Sequence, residues 1–309
     1  MFKRLIFLTC LAANPFSQTY AWDVAPQDVS FTNADGILVP GKLFVPVIPN
    51  GPIYPAVVML HGCSGIYSNS LPDPSYSNVQ QIYREWGDRL TAAGYVALLV
   101  DSFTPRGTQN ECGNGAGVGV SELFDRPKDA MGAYQYLLSR ADLVDGLHIG
   151  LLGWSHGGSS TMATLATTLP QDGITPNPNA SGQPFRVAVS FYPGCRFGYN
   201  DNGTTKYAWK GVTNSTWKPY SYLQILHGGA DPLYYDPNKS PQYPCTTRVN
   251  RAVQQGGATS LTVYLGAQHS FDLPSIGGGT CIDASATPDA CAKLQGDAAA
   301  MDTLDHYLR

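Results

Sequence analysis

Short apolar runs, some alternating with polar positions, recur at Asp28 to Thr32, Gly36 to Val45, Pro55 to Leu60, Tyr95 to Val100, Leu147 to Gly153, Phe185 to Tyr192, Tyr222 to Leu226 and Leu261 to Leu265. Runs of this length, bounded by turn residues, predict about eight strands. Between the later runs the spacing becomes helical, over Asn78 to Ala93, Arg126 to Ser139, the stretch after Ser155, Thr246 to Gln255 and Gln295 to Leu308. From Pro55 onward strand and helix alternate, the pattern of parallel strands joined by crossover helices, and the two earlier runs add a hairpin-like pair at the front. The predicted class is α/β, a mostly parallel sheet with helices on both faces. Two segments break the rhythm. Pro170 to Pro184 is dense in Pro, Asn and Gly, and Arg196 to Pro219 is long, aromatic and polar, so both are expected as excursions from the sheet.

Composition narrows this to one globular enzyme-sized body. The chain has 309 residues, 43% of them hydrophobic and 14% charged, with 33 Gly and 23 Pro, which excludes solvated disorder and coiled coil. The net charge of -4, without a basic run beyond the first four residues, lacks the electrostatic footprint of nucleic-acid binding. The expected partner is a small molecule, and the expected state a monomer. Lys3-Arg4, the apolar run Leu5 to Ala13 and Thr19-Tyr20-Ala21 follow the order of a secretory signal, predicting a signal peptide over residues 1–21 and a single catalytic domain over 22–309. The apolar run is much shorter than the roughly 20 residues a membrane span needs. A secreted or periplasmic location is expected, with a net charge of -6 once Lys3 and Arg4 are removed from the -4 total.

That location makes the cysteines informative. Cys10 leaves with the signal, and Cys63, Cys112, Cys195, Cys245, Cys281 and Cys291 form an even set suited to an oxidising compartment. The spacings of zinc sites, Cys-x-x-Cys or His-x-x-x-His, are absent, so neither a metal nor a cofactor is implied. Cys63 and Cys112 lie on loops after neighbouring predicted strands, as do Cys195 and Cys245, while Cys281 and Cys291 close a short tail loop. Three bridges are predicted in those pairs.

The sharpest chemical signal is Gly153-Trp154-Ser155-His156-Gly157-Gly158, placed where a predicted strand ends and a small-residue helix begins. A turn this tight needs Gly around the serine and exposes its hydroxyl above the sheet, as in a nucleophile elbow. A serine hydroxyl attacks only when a base takes its proton and a third group holds the base. In the chain order Ser, acid, His, the base is His269 on the loop past the last strand, and the acid is Asp231 at a strand end, preferred to Asp236. His227 is read as a packed histidine, His306 as a surface helix residue, and Asp272 as a turn or cap residue. The oxyanion of the tetrahedral intermediate needs two backbone donors, assigned to the N–H groups of His156 and of Cys63 in His61-Gly62-Cys63-Ser64-Gly65.

These pieces, with Asp101-Ser102-Phe103-Thr104-Pro105-Arg106-Gly107, Phe191-Tyr192-Pro193-Gly194 and Ala267-Gln268-His269-Ser270-Phe271, make the chain similar to the dienelactone hydrolase family, in its secreted, serine-using branch. The resemblance implies the α/β-hydrolase fold and an ester hydrolase acting through Ser155, Asp231 and His269. It also offers Arg106 as a group facing a substrate carboxylate, against the alternative of a fork to backbone carbonyls. Trp154 is a further candidate substrate contact. Dienelactone hydrolase itself carries a cysteine nucleophile and a glutamate in the first oxyanion loop, where this chain has Ser155 and His-Gly-Cys. Phe197, Tyr199, Tyr207, Trp209 and Trp217 are expected either to pack as a flap or to wall an apolar pocket suited to short-chain or aromatic esters. The competing expectations are an amidase or peptidase with the same triad, and a catalytically silent scaffold used for binding.

Overall fold

The computed structural model describes residues 25–47, 53–68, 75–113, 119–166, 184–196, 217–276, 281 and 286–309. Eight strands form one sheet: β1 (Gln27–Thr32), β2 (Leu38–Phe44), β3 (Tyr54–Leu60), β4 (Val96–Val100), β5 (Val144–Trp154), β6 (Val187–Phe191), β7 (Tyr222–Gly228) and β8 (Thr259–Tyr264), in the order β1-β2-β4-β3-β5-β6-β7-β8. β1 pairs antiparallel with β2, and β2 antiparallel with β4, while β4, β3, β5, β6, β7 and β8 run parallel. β4 and β6 are buried along their whole length, as apolar strands covered on both faces must be.

Five helices supply the covers: α1 (Gln81–Ala92), α2 (Arg126–Ser139), α3 (His156–Thr164), α4 (Pro244–Gln254) and α5 (Pro288–Leu308). Met131, Tyr134 and Leu137 of α2, Met162 of α3 and Val249 of α4 pack with alternate strand residues such as Val58 and Leu151 on one face. Ile82, Tyr83 and Trp86 of α1 and Ala300, Leu304 and Leu308 of α5 pack with Met59, Leu152 and Trp154 on the other. The period-two alternation of β5 therefore sends Leu151 to one layer and Trp154 to the opposite one. Among the described residues, no helix is long and apolar enough to cross a membrane.

The predicted helix from Gln295 begins instead at Pro288. The Thr287 hydroxyl accepts from the Ala290 N–H at 3.2 Å, with Pro288 and Asp289 in the first turn, a start signal written in Thr-Pro-Asp. This changes the cysteine picture. Cys63–Cys112 and Cys195–Cys245 are disulfides, but Cys281 and Cys291 are free thiols. Cys291 belongs to α5 rather than to a loop, and the two sulfhydryls meet as a hydrogen-bonded pair that raises the pKa of Cys281. Of the two predicted excursions, residues 167–183 and 197–216 lie outside the described residues, and with them Phe197, Tyr199, Tyr207 and Trp209.

Candidate active site

β5 ends at Trp154 and α3 begins at His156, leaving Ser155 alone in the turn with φ 52° and ψ -113°. Such a conformation is costly for a residue with a Cβ and persists only where its surroundings enforce it. They do so through glycine: a side chain at Gly153 would run into the Gly157 carbonyl and Thr161, and one at Gly157 into the Leu60 and His61 carbonyls. The helix start is thereby pressed against the end of β3, and the Ser155 side chain is lifted out of the sheet.

Two loops at the carboxyl ends of β7 and β8 meet that serine. Ser155 Oγ lies 2.9 Å from His269 Nε2, and His269 Nδ1 lies 2.6 Å from Asp231 Oδ2. The imidazole is 32% exposed, so a substrate can reach it, whereas the Asp231 side chain is fully buried. Asp231 Oδ1 accepts the Leu233 N–H at 2.8 Å. Asp236 is engaged elsewhere, accepting from the Asn238 N–H in an exposed turn. His227, buried as expected, donates Nε2–H to the Pro193 carbonyl at 3.1 Å and places Nδ1 3.5 Å from Asp231 Oδ2. His306 is exposed on α5.

Asp272 has a larger role than a turn residue. Its carboxylate, wholly buried, accepts from Trp154 Nε1 at 2.9 Å and from the Tyr192 hydroxyl at 2.5 Å. It ties the histidine loop to the residue before Ser155 and to the end of β6, where the Tyr192 ring stands edge-on to His269 at 4.8 Å. Burial pushes its pKa up to about 6, against the pull of the two donors.

The loop after β3 passes over the serine: a side chain at Gly62 would come within 3.8 Å of Ser155 Cβ. Ser102 N–H donates to His61 Nε2 at 3.3 Å, so Nδ1 carries the proton and donates to the Gly62 carbonyl at 2.7 Å. Since the peptide is trans, holding the Gly62 carbonyl turns the Cys63 N–H the opposite way. The same loop is fixed by the Tyr83 hydroxyl on Gly62 N–H, by Gln80 Nε2 on the Ser64 and Gly65 carbonyls, and by the Cys63–Cys112 disulfide. On the facing segment, the His156 imidazole is kept neutral, its pKa lowered to about 3 by burial and by Arg126. Glu122 Oε2 lies 3.9 Å from its Nε2, and burial pushes that carboxyl up to about 7 although Arg126 pulls the other way.

One substrate expectation, Trp154, is corrected, and for Arg106 and Trp217 the structure selects the packed or structural one of the two readings left open. Arg106 donates to the Ser102 carbonyl at 2.7 Å and forms a two-pronged bridge to the buried Asp129, at 2.8 and 3.0 Å, so it is a structural fork. Trp154 is 1% exposed among Tyr83, Trp86 and Phe191, facing away from the site. Trp217 is likewise buried, donating to the Met162 carbonyl at 3.1 Å. A cavity of about 620 Å³ flanks the loop after β3, lined by Ser64, Gln80, Gln109, Ile82, Leu273 and Ser275 among others. Asp272, Arg126 and Glu122 are the site-supporting residues the sequence reading missed. Only Arg126 left a trace, as a charged residue at the start of a predicted helix whose buried face also carries Asp129.

No family model matches the chain. Human dipeptidyl peptidase 8 is 24% identical over 266 residues, 82% of this chain and 27% of that protein, so the chain spans about a quarter of the length of the curated relatives it matches. Among solved structures it is similar to a dienelactone hydrolase-like promiscuous phosphotriesterase from metagenomic libraries, with TM-score 0.59 and 16% identity over 93% of this chain and 100% of that one. It is also similar to a thermophilic esterase of Thermogutta terrifontis, with TM-score 0.59 and 18% identity over 91% of this chain and 92% of that one. The fold they share is the α/β-hydrolase fold, and this chain has it.

Proposed function

We propose that the protein is a serine hydrolase of carboxylic esters, similar to the dienelactone hydrolases, working through an acyl-enzyme. The observation that carries the reading is the continuous chain of hydrogen-bond distances from Ser155 Oγ through His269 to Asp231, on an elbow strained to φ 52°. Ser155 Oγ attacks the ester carbonyl as its proton passes to His269 Nε2. Asp231 stabilises the imidazolium and fixes its tautomer. The tetrahedral oxyanion is received by the N–H groups of Cys63 and His156. Its collapse expels the alcohol, which takes the proton from His269, and water then releases the acid by the same steps in reverse order.

Short-chain or aromatic esters are the proposed substrates, and the cavity beside the loop after β3, with amide and hydroxyl side chains next to Ile82 and Leu273, offers room for a small group next to the site. Secretion is part of the reading, supported by the two disulfides and by the basic, apolar and small-residue order of residues 1–21. Hydrolysis of nitrophenyl acetate, butyrate and palmitate by the wild type and by Ser155→Ala is the test. Acetate or butyrate should give the highest kcat/KM and the variant should lose all three. A preference for palmitate would make the protein a lipase, and turnover by Ser155→Ala would refute the mechanism. Likeness to dipeptidyl peptidase 8 favours a second reading, hydrolysis of amides or peptides by the same residues. Cleavage of an anilide at a rate comparable to the matching ester would select it.

A further inference from the structure

Arg126 opens α2, and its side chain is fully buried under the loop that crosses Ser155. Nη2 donates to the His61 carbonyl at 2.7 Å, and Nη1 donates to His156 Nδ1 at 2.8 Å. Those acceptors belong to two different segments, the loop after β3 and the first turn of α3, the same two that carry the Cys63 and His156 amides. The guanidinium also lies over the Phe103 ring at 5.4 Å. Taking a cation out of water costs several kcal/mol unless it is compensated. Here burial lowers the Arg126 pKa only to about 10, with Asp129 and Glu122 among the groups that favour the charge, so the group is cationic at neutral pH.

Its compensation is unusual in one respect. Asp129, the neighbouring carboxylate, is taken up by Arg106 and Asn33. Among the described residues no carboxylate is in ion-pair contact with Arg126, and its two direct acceptors are neutral. Asp129 and Glu122 therefore balance the guanidinium from a distance rather than by contact, while its two direct hydrogen bonds go to the segments flanking Ser155.

We propose that Arg126 is a positioning residue for ester hydrolysis: it fixes the spacing of the Cys63 and His156 amides and adds positive potential where the tetrahedral oxyanion forms. This rests on Ser155 being the nucleophile. The mechanical path is short. Arg126 holds the His61 carbonyl, the His61 ring holds the Gly62 carbonyl, and that peptide aims the Cys63 N–H. On the other side the guanidinium grips the side chain of the residue whose own amide is the second donor. A planar fork can bridge two acceptors in this way, and an ammonium at the end of a lysine cannot do so with the same geometry. The neutral state of His156 matters because only an unprotonated Nδ1 can accept.

The test compares wild type, Arg126→Lys and Arg126→Gln by thermal unfolding, nitrophenyl acetate kinetics and inhibition by phenylboronate, which forms a tetrahedral adduct on an attacking serine oxygen. Losing one oxyanion donor costs on the order of 10² to 10³ in kcat, so a donor pair left misplaced but present should cost about 10 to 10² in Arg126→Gln. KM should change little, the sign of an interaction made only in the transition state. Phenylboronate affinity should fall by about the same factor as kcat, which a lesion of general stability would not produce. Arg126→Lys, keeping charge without the fork, should lie between the two and carries the test if Arg126→Gln does not fold. A folded variant with kcat within about twofold of wild type, or a kcat loss without weaker phenylboronate binding, overturns the inference. Failure of the Ser155 reading would show instead in the wild type, as absent ester turnover.

Discussion

Ser155 is flanked by two supports built from opposite charges. On the base side, two buried carboxylates do the holding: Asp231 takes the His269 N–H, and Asp272 takes Trp154 and Tyr192. On the side proposed to receive the oxyanion, called the oxyanion side below, the holding groups are a buried guanidinium and a disulfide, Arg126 and Cys63–Cys112. The difference is one of titration. A carboxylate whose donors are the neutral N–H of Trp and O–H of Tyr has a pKa within the working pH range, as the value of about 6 for Asp272 shows. The guanidinium, at about 10, and the covalent bond do not change state there. The base side should therefore respond to pH through Asp272, whereas on the other side Glu122, at about 7, titrates while Arg126 and the disulfide do not.

Breaking the base side at its centre should give the largest effect. Asp231→Asn should lower kcat by about 10⁴, because an amide no longer fixes the imidazole tautomer, while Asp236→Asn should retain activity. Steady-state kinetics on both variants separates them, and the reverse ranking would remove Asp231 from the mechanism.

The oxyanion side has a covalent counterpart elsewhere in the fold, which makes a controlled comparison. Replacing Cys63 and Cys112 together by Ser should destabilise the protein by about 2 to 4 kcal/mol, and so should replacing Cys195 and Cys245, because the loops closed are of nearly equal length, 49 and 50 residues. Only the first pair should also lower kcat. Denaturant melts with activity measured on the folded fraction decide this; equal kcat in both would detach the disulfide from the site.

Asp272 gives the smallest and most specific effect. The folded carboxyl, at about 6, holds its proton more tightly than the unfolded chain does, near 3.9. Its contribution to stability is therefore complete below about pH 4 and is lost as pH rises through about 6, by up to ~3 kcal/mol. Asp272→Asn should flatten that part of the stability profile, read as Tm between pH 4 and pH 7. An unchanged profile would mean that the Trp154 and Tyr192 donors hold the carboxylate ionised throughout.

What could be read from the sequence was what repeats or sits next to itself. Among the described residues the strands and helices such as α1 and α4 announce themselves by periodicity, α3 by its small residues, and Gly153-Trp154-Ser155-His156-Gly157 marks its own turn. Supports formed across the fold leave no such mark. Asp272 meets Trp154 across 118 positions and Arg126 meets His61 across 65, so in the sequence one is a turn aspartate and the other a helix-start arginine. Arg106 and Trp154 fail as substrate contacts for a related reason. Their neighbours along the chain point to the site, but the Asp129 fork and the strand alternation of β5 turn their side chains elsewhere. The spacing of Cys281 and Cys291 reads as one loop, whereas the Thr287 cap and Pro288 carry Cys291 into a helix.

The central claim is that Ser155 is the nucleophile, and covalent trapping tests it most directly. The wild type is to be treated with a fluorophosphonate, digested and mapped by mass spectrometry, beside Ser155→Ala. The account predicts a single adduct on the peptide containing Ser155, with none on the variant. An adduct on another residue, labelling that persists in Ser155→Ala, or an unlabelled wild type would contradict it.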